Sequence, residues 1–367
     1  MVWITRNSIS LWRIETYLIG VLFILALDIS KSNITPDGMH SSNQLSKKYW
    51  IPNSTQMKKV ILALFAIALI SSLLFMGCKD DDTTTTPEVS PASEEVDLTH
   101  LPFGGVDPTH ILVRKDGDSQ PDFLSLWLCG LPVDGAGANN ATDWTNADGT
   151  WDYTRKPQVE GNVSWISEFD ASLDGNGKRI ITGNALPDHP TGIFPIDPAS
   201  DAYQYDRNKN EILAREILYE FPAMPEIAAQ PSCVNFGASG ISLTGSVIYH
   251  GASTLGNDAA AHEILDRFGG HSDGTNTYHY HYPTKNLQDQ IHTHIEGHSE
   301  LMGYMLDGFG IYGPQGEDGE VLWSKDLDEC HGHTHPILWD GEMVDLYHYH
   351  WTYDFPYNIG CYKGTPN

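Results

Sequence analysis

The tetrapeptide Tyr-His-Tyr-His occurs twice in this chain, at residues 278–281 and 347–350. Because alternate residues of a β-strand project from the same face, each copy would present two imidazoles together and two tyrosines to the opposite layer. Histidine is the commonest metal ligand among protein side chains. The pattern therefore predicts that strand histidines bind a transition metal. If the two strands face one another, they supply four nitrogens to one site.

A similar segment precedes each tetrapeptide, which makes the pattern a degenerate internal repeat. Gly-His-Ser at 270–272 and Gly-His-Thr at 332–334 are each followed by an Asp-Gly pair. Asp-Gly favours tight hairpin turns, so the upstream histidine is expected to fold back beside the tetrapeptide. The repeat thus predicts metal ligands in both copies: His271, His279 and His281 in the first, and His333, His348 and His350 in the second.

The ligand type narrows the choice of metal. Neutral imidazole suits zinc, copper, nickel and iron, and copper binds most tightly among the divalent ions, so we expect copper or zinc. Carboxylates that could complete the shell are Glu263, Asp307, Asp328 and Glu329. Glu263 and Asp307 are also the candidate acid–base residues if the site is catalytic. We expect His292, His294 and His298 to lie in a surface loop.

The segment before the first repeat predicts one short helix at about residues 258–268. Asn257 or Asp258 can form the N-terminal cap, and the alanines at 259–261 have high helix propensity. Glycines at 269 and 270 end the helix and lead directly into His271. Residues 262–266, His-Glu-Ile-Leu-Asp, resemble the zinc-protease pattern His-Glu-x-x-His without its second histidine, so a capped helix is the preferred interpretation.

Residues 99–367 predict a mainly β domain, sandwich- or barrel-like, with long loops. Short apolar runs rich in tryptophan and tyrosine alternate with Asp-Gly and Asn-Gly turn signals. The domain contains an even number of cysteines, which suits an exported and oxidising location: Cys129, Cys233, Cys330 and Cys361. Two disulfides are therefore expected, with three pairings open.

Residues 57–77 predict a lipoprotein signal peptide. Two lysines follow Met57, an apolar run starts at Val60, and a glycine precedes Cys78. This resembles the bacterial lipobox, in which Cys78 becomes lipidated, and the Lys-Asp-Asp-Asp that follows resembles the signal that sends Bacteroidota lipoproteins to the cell surface. We therefore expect a lipid anchor in the outer membrane, a disordered acidic and threonine-rich tether at 78–98, and a misassigned upstream start for residues 1–56.

Charge excludes one class of partner. The 367-residue chain has 48 acidic and 21 basic residues, a formal net charge of −27. Nucleic-acid binding depends on a basic surface, so nucleic acid is not an expected partner. An acidic surface raises the local concentration of cations, which is compatible with metal capture.

The region from about residue 180 to 364 resembles the YHYH-domain family, named for the tetrapeptide. Besides both tetrapeptides, the similar blocks lie at 184–192, 240–249, 261–263, 270–271, 306–313, 327–330 and 347–361. The family has no known biochemical activity. The resemblance implies an exported β-rich domain, and it adds His189 and His262 to the potential metal ligands. His331 and His335 depart from the family's pattern, so we expect these two histidines to be peripheral.

Three functions remain open at this point. The leading hypothesis is capture or delivery of copper or zinc by a surface lipoprotein. The second is a metal-dependent hydrolase or oxidoreductase that uses the same histidines. The third is a metal-free adhesion or glycan-binding module, with Trp144, Trp151 and Trp165 as exposed aromatic anchors.

Overall fold

The computed structural model describes residues 96–104, 113–114, 126–130, 143–254, 256–291 and 297–367. The predicted signal peptide, Cys78 and nearly all of the predicted tether lie outside these residues, as do His292 and His294. Within these ranges, the helices are too short or too polar to cross a membrane.

β-Strands dominate the described residues, so the predicted mainly β class is confirmed. The strands are β1 (Leu101–Pro102), β2 (Val113–Arg114), β3 (Leu126–Trp127), β4 (Thr150–Trp151), β5 (Phe169–Leu173), β6 (Lys178–Gly183), β7 (Ile217–Pro222), β8 (Ala238–Ser242), β9 (Val247–Tyr249), β10 (Gly270–Ser272), β11 (Tyr278–Tyr280), β12 (Leu301–Met305), β13 (Gly310–Tyr312), β14 (Gly332–Trp339) and β15 (Glu342–His350). Two α-helices, α1 (Ala259–His262) and α2 (Lys285–Ile291), accompany them.

Helix α1 is shorter than predicted. It begins as expected, because the Asp258 carboxylate accepts a hydrogen bond from the Ala261 amide at 3.1 Å. The backbone becomes extended at Glu263, so the helix ends at His262 and not at Phe268. The Asp266 carboxylate then accepts a hydrogen bond from the Phe268 amide at 2.9 Å and holds a turn in place of the helix end.

The largest sheet has eight strands, in the order β10-β11-β9-β8-β12-β13-β15-β14. Strands β10 and β14 are its two ends, so this described sheet does not close and the barrel alternative is wrong. A separate three-stranded antiparallel sheet contains β5, β6 and β7. Two disulfides form, Cys129–Cys233 and Cys330–Cys361, as the even number of cysteines predicts.

The eight-stranded sheet consists of two four-stranded units with the same topology. The first unit has the order β8-β9-β11-β10 and the second has the order β12-β13-β15-β14. In each, two antiparallel hairpins join through a parallel contact, β9 with β11 and β13 with β15. The units meet where β8 pairs antiparallel with β12. The repeat around the tetrapeptides therefore extends over the whole sheet.

Both tetrapeptides direct their histidines to the same face of this sheet. Residues paired across neighbouring strands share a face. From His279, successive pairs lead across the sheet to Gly310 in β13, through Val247, Ile241 and Tyr304. Tyr312 lies two residues after Gly310 and so shares its face, and Tyr312 pairs with His350. Five interstrand steps of about 4.8 Å separate β11 from β15, or roughly 24 Å. The two tetrapeptides therefore do not meet, and the condition for one shared four-nitrogen site is not fulfilled.

Candidate metal centres

Each histidine hairpin is positioned by its own aspartate turn, and the two turns make equivalent hydrogen bonds. Asp266 accepts hydrogen bonds from the Tyr278 hydroxyl at 2.9 Å and from the Gly270 amide at 3.4 Å. In the second unit, Asp328 accepts the equivalent bonds from the Tyr347 hydroxyl at 2.9 Å and from the Gly332 amide at 3.1 Å. The tyrosines of each tetrapeptide thus anchor the strand on one face of the sheet, while the histidines project from the opposite face.

The registers of the two hairpins agree. His271 lies opposite His279 in the first hairpin, and His333 lies opposite His348 in the second. The prediction that an upstream histidine folds back beside each tetrapeptide is confirmed in both units. Each hairpin therefore gathers its own histidines, and the part of the chain that the structure describes contains two separate histidine clusters.

The first centre comprises His271, His279, His281 and Glu263. The Nε2 atoms of His279 and His281 lie 3.0 Å apart. Glu263 Oε2 lies 3.0 Å from His271 Nε2 and 3.3 Å from His281 Nε2. All of these side chains are buried, with less than a tenth of each exposed.

Backbone carbonyls fix the orientation of two imidazoles in this centre. His279 Nδ1 donates to the Thr277 carbonyl at 3.0 Å, and His281 Nδ1 donates to the His250 carbonyl at 2.8 Å. Because each Nδ1 carries the proton, each Nε2 presents its lone pair. With these tautomers the two lone pairs face each other without a proton between them, an arrangement that suits a cation.

Glu263 adds a buried carboxylate oxygen to the same centre. Neither of its contacts to histidine has hydrogen-bond geometry, so its Oε2 atom is buried without a hydrogen-bond partner among the described residues. Burial raises the pKa of the Glu263 carboxyl, although His281 and Lys156 favour its ionised form. Lys156 is itself buried and donates to the backbone carbonyl of Glu263, not to its carboxylate. A metal ion beside Oε2 would stabilise the charged carboxylate.

The second centre consists of five histidines: His298, His333, His335, His348 and His350. Nε2 of His333 lies 3.0 Å from that of His350, and Nε2 of His298 lies 3.2 Å from that of His348. The five ligand atoms all lie within 4.8 Å of one another. His348 and His350 are buried, whereas the other three are partly exposed.

Carbonyl acceptors orient the second centre in the same way. Nδ1 of His348 donates to the Leu346 carbonyl at 2.9 Å, and Nδ1 of His298 donates to the Ser299 carbonyl at 2.7 Å. Their Nε2 lone pairs therefore converge, as in the first centre. Nδ1 of His350 donates to the Gly313 carbonyl at 2.6 Å, the counterpart of the His281 bond.

Burial keeps these ligands neutral at physiological pH. It lowers the pKa of His279 and His281 to about 3 and that of His271 to about 4. In the second centre burial lowers the pKa of His298 and His333 to about 4. Neutral imidazole is the form that binds metal. Metal–nitrogen bonds of 2.0–2.1 Å in a tetrahedron place neighbouring ligands about 3.3 Å apart, close to the separations in both centres.

Five predicted residues lie outside both centres. Asp328 accepts from Tyr347 behind the second hairpin, and Glu329 pairs with Lys363 at 3.1 Å. His189 is near the hydroxyl of Tyr280, at 2.5 Å, on the tyrosine side of the sheet. Nδ1 of His262 lies 3.0 Å from the Asp258 carbonyl in helix α1. Asp307 accepts a hydrogen bond from the Tyr349 hydroxyl at 2.6 Å, so it supports the second hairpin from behind. Of the two acid–base candidates, only Glu263 lies among the histidines.

Two ligands of the second centre were expected elsewhere. His335 alternates with His333 along β14, and this same-face spacing is a signal visible in the sequence. His298 precedes β12, far along the chain from the hairpin, and its pattern gives no such signal. His331 is buried outside the centre, where its Nε2 lies 3.0 Å from the Thr352 hydroxyl.

The aromatic anchors of the adhesion hypothesis are not available at the surface. Trp144 and Trp151 are completely buried. The indole of Trp144 donates to the Ala261 carbonyl at 2.8 Å, inside the domain. Trp165 is partly buried and donates to the Thr191 hydroxyl at 3.0 Å. The tryptophans therefore pack the core and do not support a glycan-binding surface.

Comparison with known families gives one match. The family model described as YHYH protein matches residues 218–321, which include the first centre and the start of the second unit. This confirms the resemblance, over a shorter region than the blocks at 180–364 suggested. No curated protein and no solved structure matches the chain.

Proposed function

On the premise that this chain contains a YHYH domain, we propose that it binds transition-metal ions at both histidine centres. Copper or zinc is the expected ion, and capture or delivery of that ion is the proposed role. The predicted lipid anchor would place both centres outside the cell, at the outer membrane. The net charge of −27 would attract cations to this surface.

One observation carries this proposal. In each centre a pair of histidines donates Nδ1–H to backbone carbonyls and directs its Nε2 lone pairs at each other, at 3.0 Å and 3.2 Å. Hydrogen bonding alone does not reward this arrangement, because neither nitrogen has a proton to donate. A metal ion between them accepts both lone pairs, and the carbonyl contacts are those that orient histidine ligands in metal sites.

Burial favours binding over catalysis at the first centre. An active-site metal needs an open coordination position that substrate can reach. His279, His281 and Glu263 are almost completely buried, and Glu263 approaches two imidazoles closely enough to be a fourth ligand. The hydrolase or oxidoreductase alternative therefore has less support than a closed binding site.

Elemental analysis of the purified full-length chain tests the proposal. We expect about two ions per chain, one for each centre. The double variant His279→Gln and His348→Gln removes one ligand of a converging pair from each centre and should lose most of the metal. His189→Gln is the matched control, because His189 is buried but lies outside both centres. Equal metal content in the double variant and the wild type would refute the proposal.

A further inference from the structure

We infer that the two centres bind different ions: the first retains zinc, and the second exchanges copper. This inference rests on the proposed function, because it assumes that both centres bind metal. It follows from the residues at which the two otherwise similar units diverge.

Each unit has a ligand that the other lacks. The aspartate turns align Asp266 with Asp328, which places Lys325 at the position of Glu263. Lys325 is three-quarters exposed and is not a ligand. Conversely, His335 lies two residues after His333, where the first unit has an aspartate, Asp273. The side chain of Asp273 accepts a hydrogen bond from Tyr249 at 2.8 Å.

The first centre has the donor set of a closed zinc site. Three imidazole nitrogens and one carboxylate oxygen make four ligands, and zinc sites with four protein ligands are tetrahedral. Three of the six separations between these atoms, 3.0, 3.0 and 3.3 Å, are near the tetrahedral edge of about 3.3 Å. The three histidine nitrogens, without Glu263, form the group whose atoms all lie within 4.8 Å of one another, so Glu263 would complete the shell from the side of His271 and His281. The carboxylate neutralises part of the ion's charge in a buried site. An ion enclosed by buried ligands can leave only when the protein opens locally.

The second centre suits copper. Among the described residues its ligand group contains only imidazoles, and five nitrogens exceed what a tetrahedral zinc site uses. Sites of nitrogen ligands bind copper(II) most tightly of the first-row divalent ions. His298 and His333 are partly exposed, so a competing ligand from solution can displace them one at a time, although Nε2 of His335 is buried. This exposure predicts faster exchange than at the first centre.

The experiment loads the metal-free full-length chain with equimolar zinc and copper(II), then follows both elements during dialysis against EDTA. We expect copper to leave at least about tenfold faster than zinc, because partly exposed ligands can be displaced directly whereas buried ligands require local opening of the protein, and an opening free energy of about 1.4 kcal/mol already gives that factor. Two spectroscopic measurements on the wild-type protein identify the ligand atoms of each metal. Copper electron paramagnetic resonance should show nitrogen ligands only, and zinc-edge X-ray absorption should show mixed nitrogen and oxygen ligands.

Two variants assign the ions to the centres. Glu263→Gln keeps the side-chain size but removes the charge, and should lose the retained zinc while the copper spectrum stays unchanged. The double variant His298→Asn and His335→Asn should alter the copper spectrum while zinc is retained. Circular dichroism verifies that each variant is folded.

The results separate the inference from the proposal beneath it. Equal exchange rates for the two ions, or oxygen ligands on copper, would overturn the inference while leaving metal binding intact. Loss of copper in Glu263→Gln with zinc retained would reverse the assignment and also overturn it. A wild-type chain that binds neither ion would contradict the proposed function itself.

Discussion

At the scale of single residues, the two halves of the tetrapeptide have separate roles. The histidines present nitrogens, and the tyrosines bind carboxylates on the opposite side, Tyr278 with Asp266 and Tyr349 with Asp307. Burial raises the pKa of both aspartates to about 6, whereas hydrogen bonds from the tyrosines and from backbone amides lower it. The tyrosine hydroxyls therefore help to satisfy buried carboxylates on the side of the sheet opposite the histidine clusters.

Substitution of Tyr278 by Phe tests this anchoring role. The change leaves Asp266 without one of its donors in a buried position, so the free energy of unfolding should fall by about 1–3 kcal/mol. Urea denaturation measures it. Tyr205→Phe is the control, because the Tyr205 hydroxyl donates to Asp143 at an exposed site. A loss no larger than that of the control would show that the anchor is dispensable.

Some ligands were predictable at this scale, and others were not. His279 and His281 follow from strand periodicity, since alternate residues share a face. His298 does not, because it reaches the second centre only through tertiary folding. Glu263 was expected on a helix, but the extended backbone at that position lets its side chain meet His271.

At the scale of elements, each hairpin needs a glycine where its first strand packs against the first tyrosine of the tetrapeptide. A Cβ atom on Gly270 would lie 2.5 Å from Cζ of Tyr278 and 2.7 Å from the His279 carbonyl. Gly332 has the equivalent contacts with Tyr347 and His348. The glycine that precedes each upstream histidine is thus required by packing against the tetrapeptide.

Gly270→Ala should therefore destabilise the first hairpin. Overpacking of this kind costs about 1–3 kcal/mol, and it should also weaken metal retention at the first centre. Thermal unfolding and zinc content measure the two effects. Gly274→Ala in the same hairpin is the control, since a Cβ there meets nothing within 4 Å. If both variants behave alike, close packing at Gly270 does not position the centre.

The hairpins were the part of the fold that the pattern predicted best. Asp-Gly turns and alternating histidines define both strands and their facing residues, and the structure has the same pairing. The prediction of the helix end was less accurate. Residues 264–268 have helix propensity, but the hydrogen bonds of Asp266 with the following turn stabilise a non-helical backbone there.

At the scale of the whole molecule, the number of buried neutral histidines determines how stability responds to acid. Burial lowers the pKa of many histidines: His189, His250, His271, His279, His281, His298, His331, His333, His348 and His350. A smaller group of buried carboxyls has raised pKa values, among them Asp206, Asp266 and Asp307 at about 6. On acidification the folded state binds protons on these carboxyls before the unfolded state does, which stabilises it. The histidines have the opposite effect, and there are more of them.

The metal-free chain should therefore lose stability as the pH falls below about 6.5. Below that value the unfolded chain binds protons on its histidines, while the folded chain does not until pH 3–4. We expect the urea midpoint to be steady between about pH 7 and 8 and to decline toward about pH 5. A midpoint that is constant or rises over that interval would mean that the carboxyls dominate.

The two-unit sheet was only partly predictable. Residues 240–249 and 303–312 share the pattern Gly-x-x-Leu-x-Gly-x-x-Ile-Tyr, and Gly245 and Gly308 have similar positive φ values of 93° and 90°. This pattern shows that the repeat extends beyond the tetrapeptides. Nothing in it specifies that β8 pairs with β12, because that contact depends on the sheet as a whole.

The antiparallel pairing of β8 with β12 relates the two units by an approximate two-fold axis perpendicular to the sheet. This is the geometry of a symmetric dimer whose subunits pair through equivalent edge strands, here joined in one polypeptide. In a homodimer every substitution changes both subunits at once. Once the halves are covalently joined they can diverge independently, which is how one half can carry Glu263 while the other carries His335.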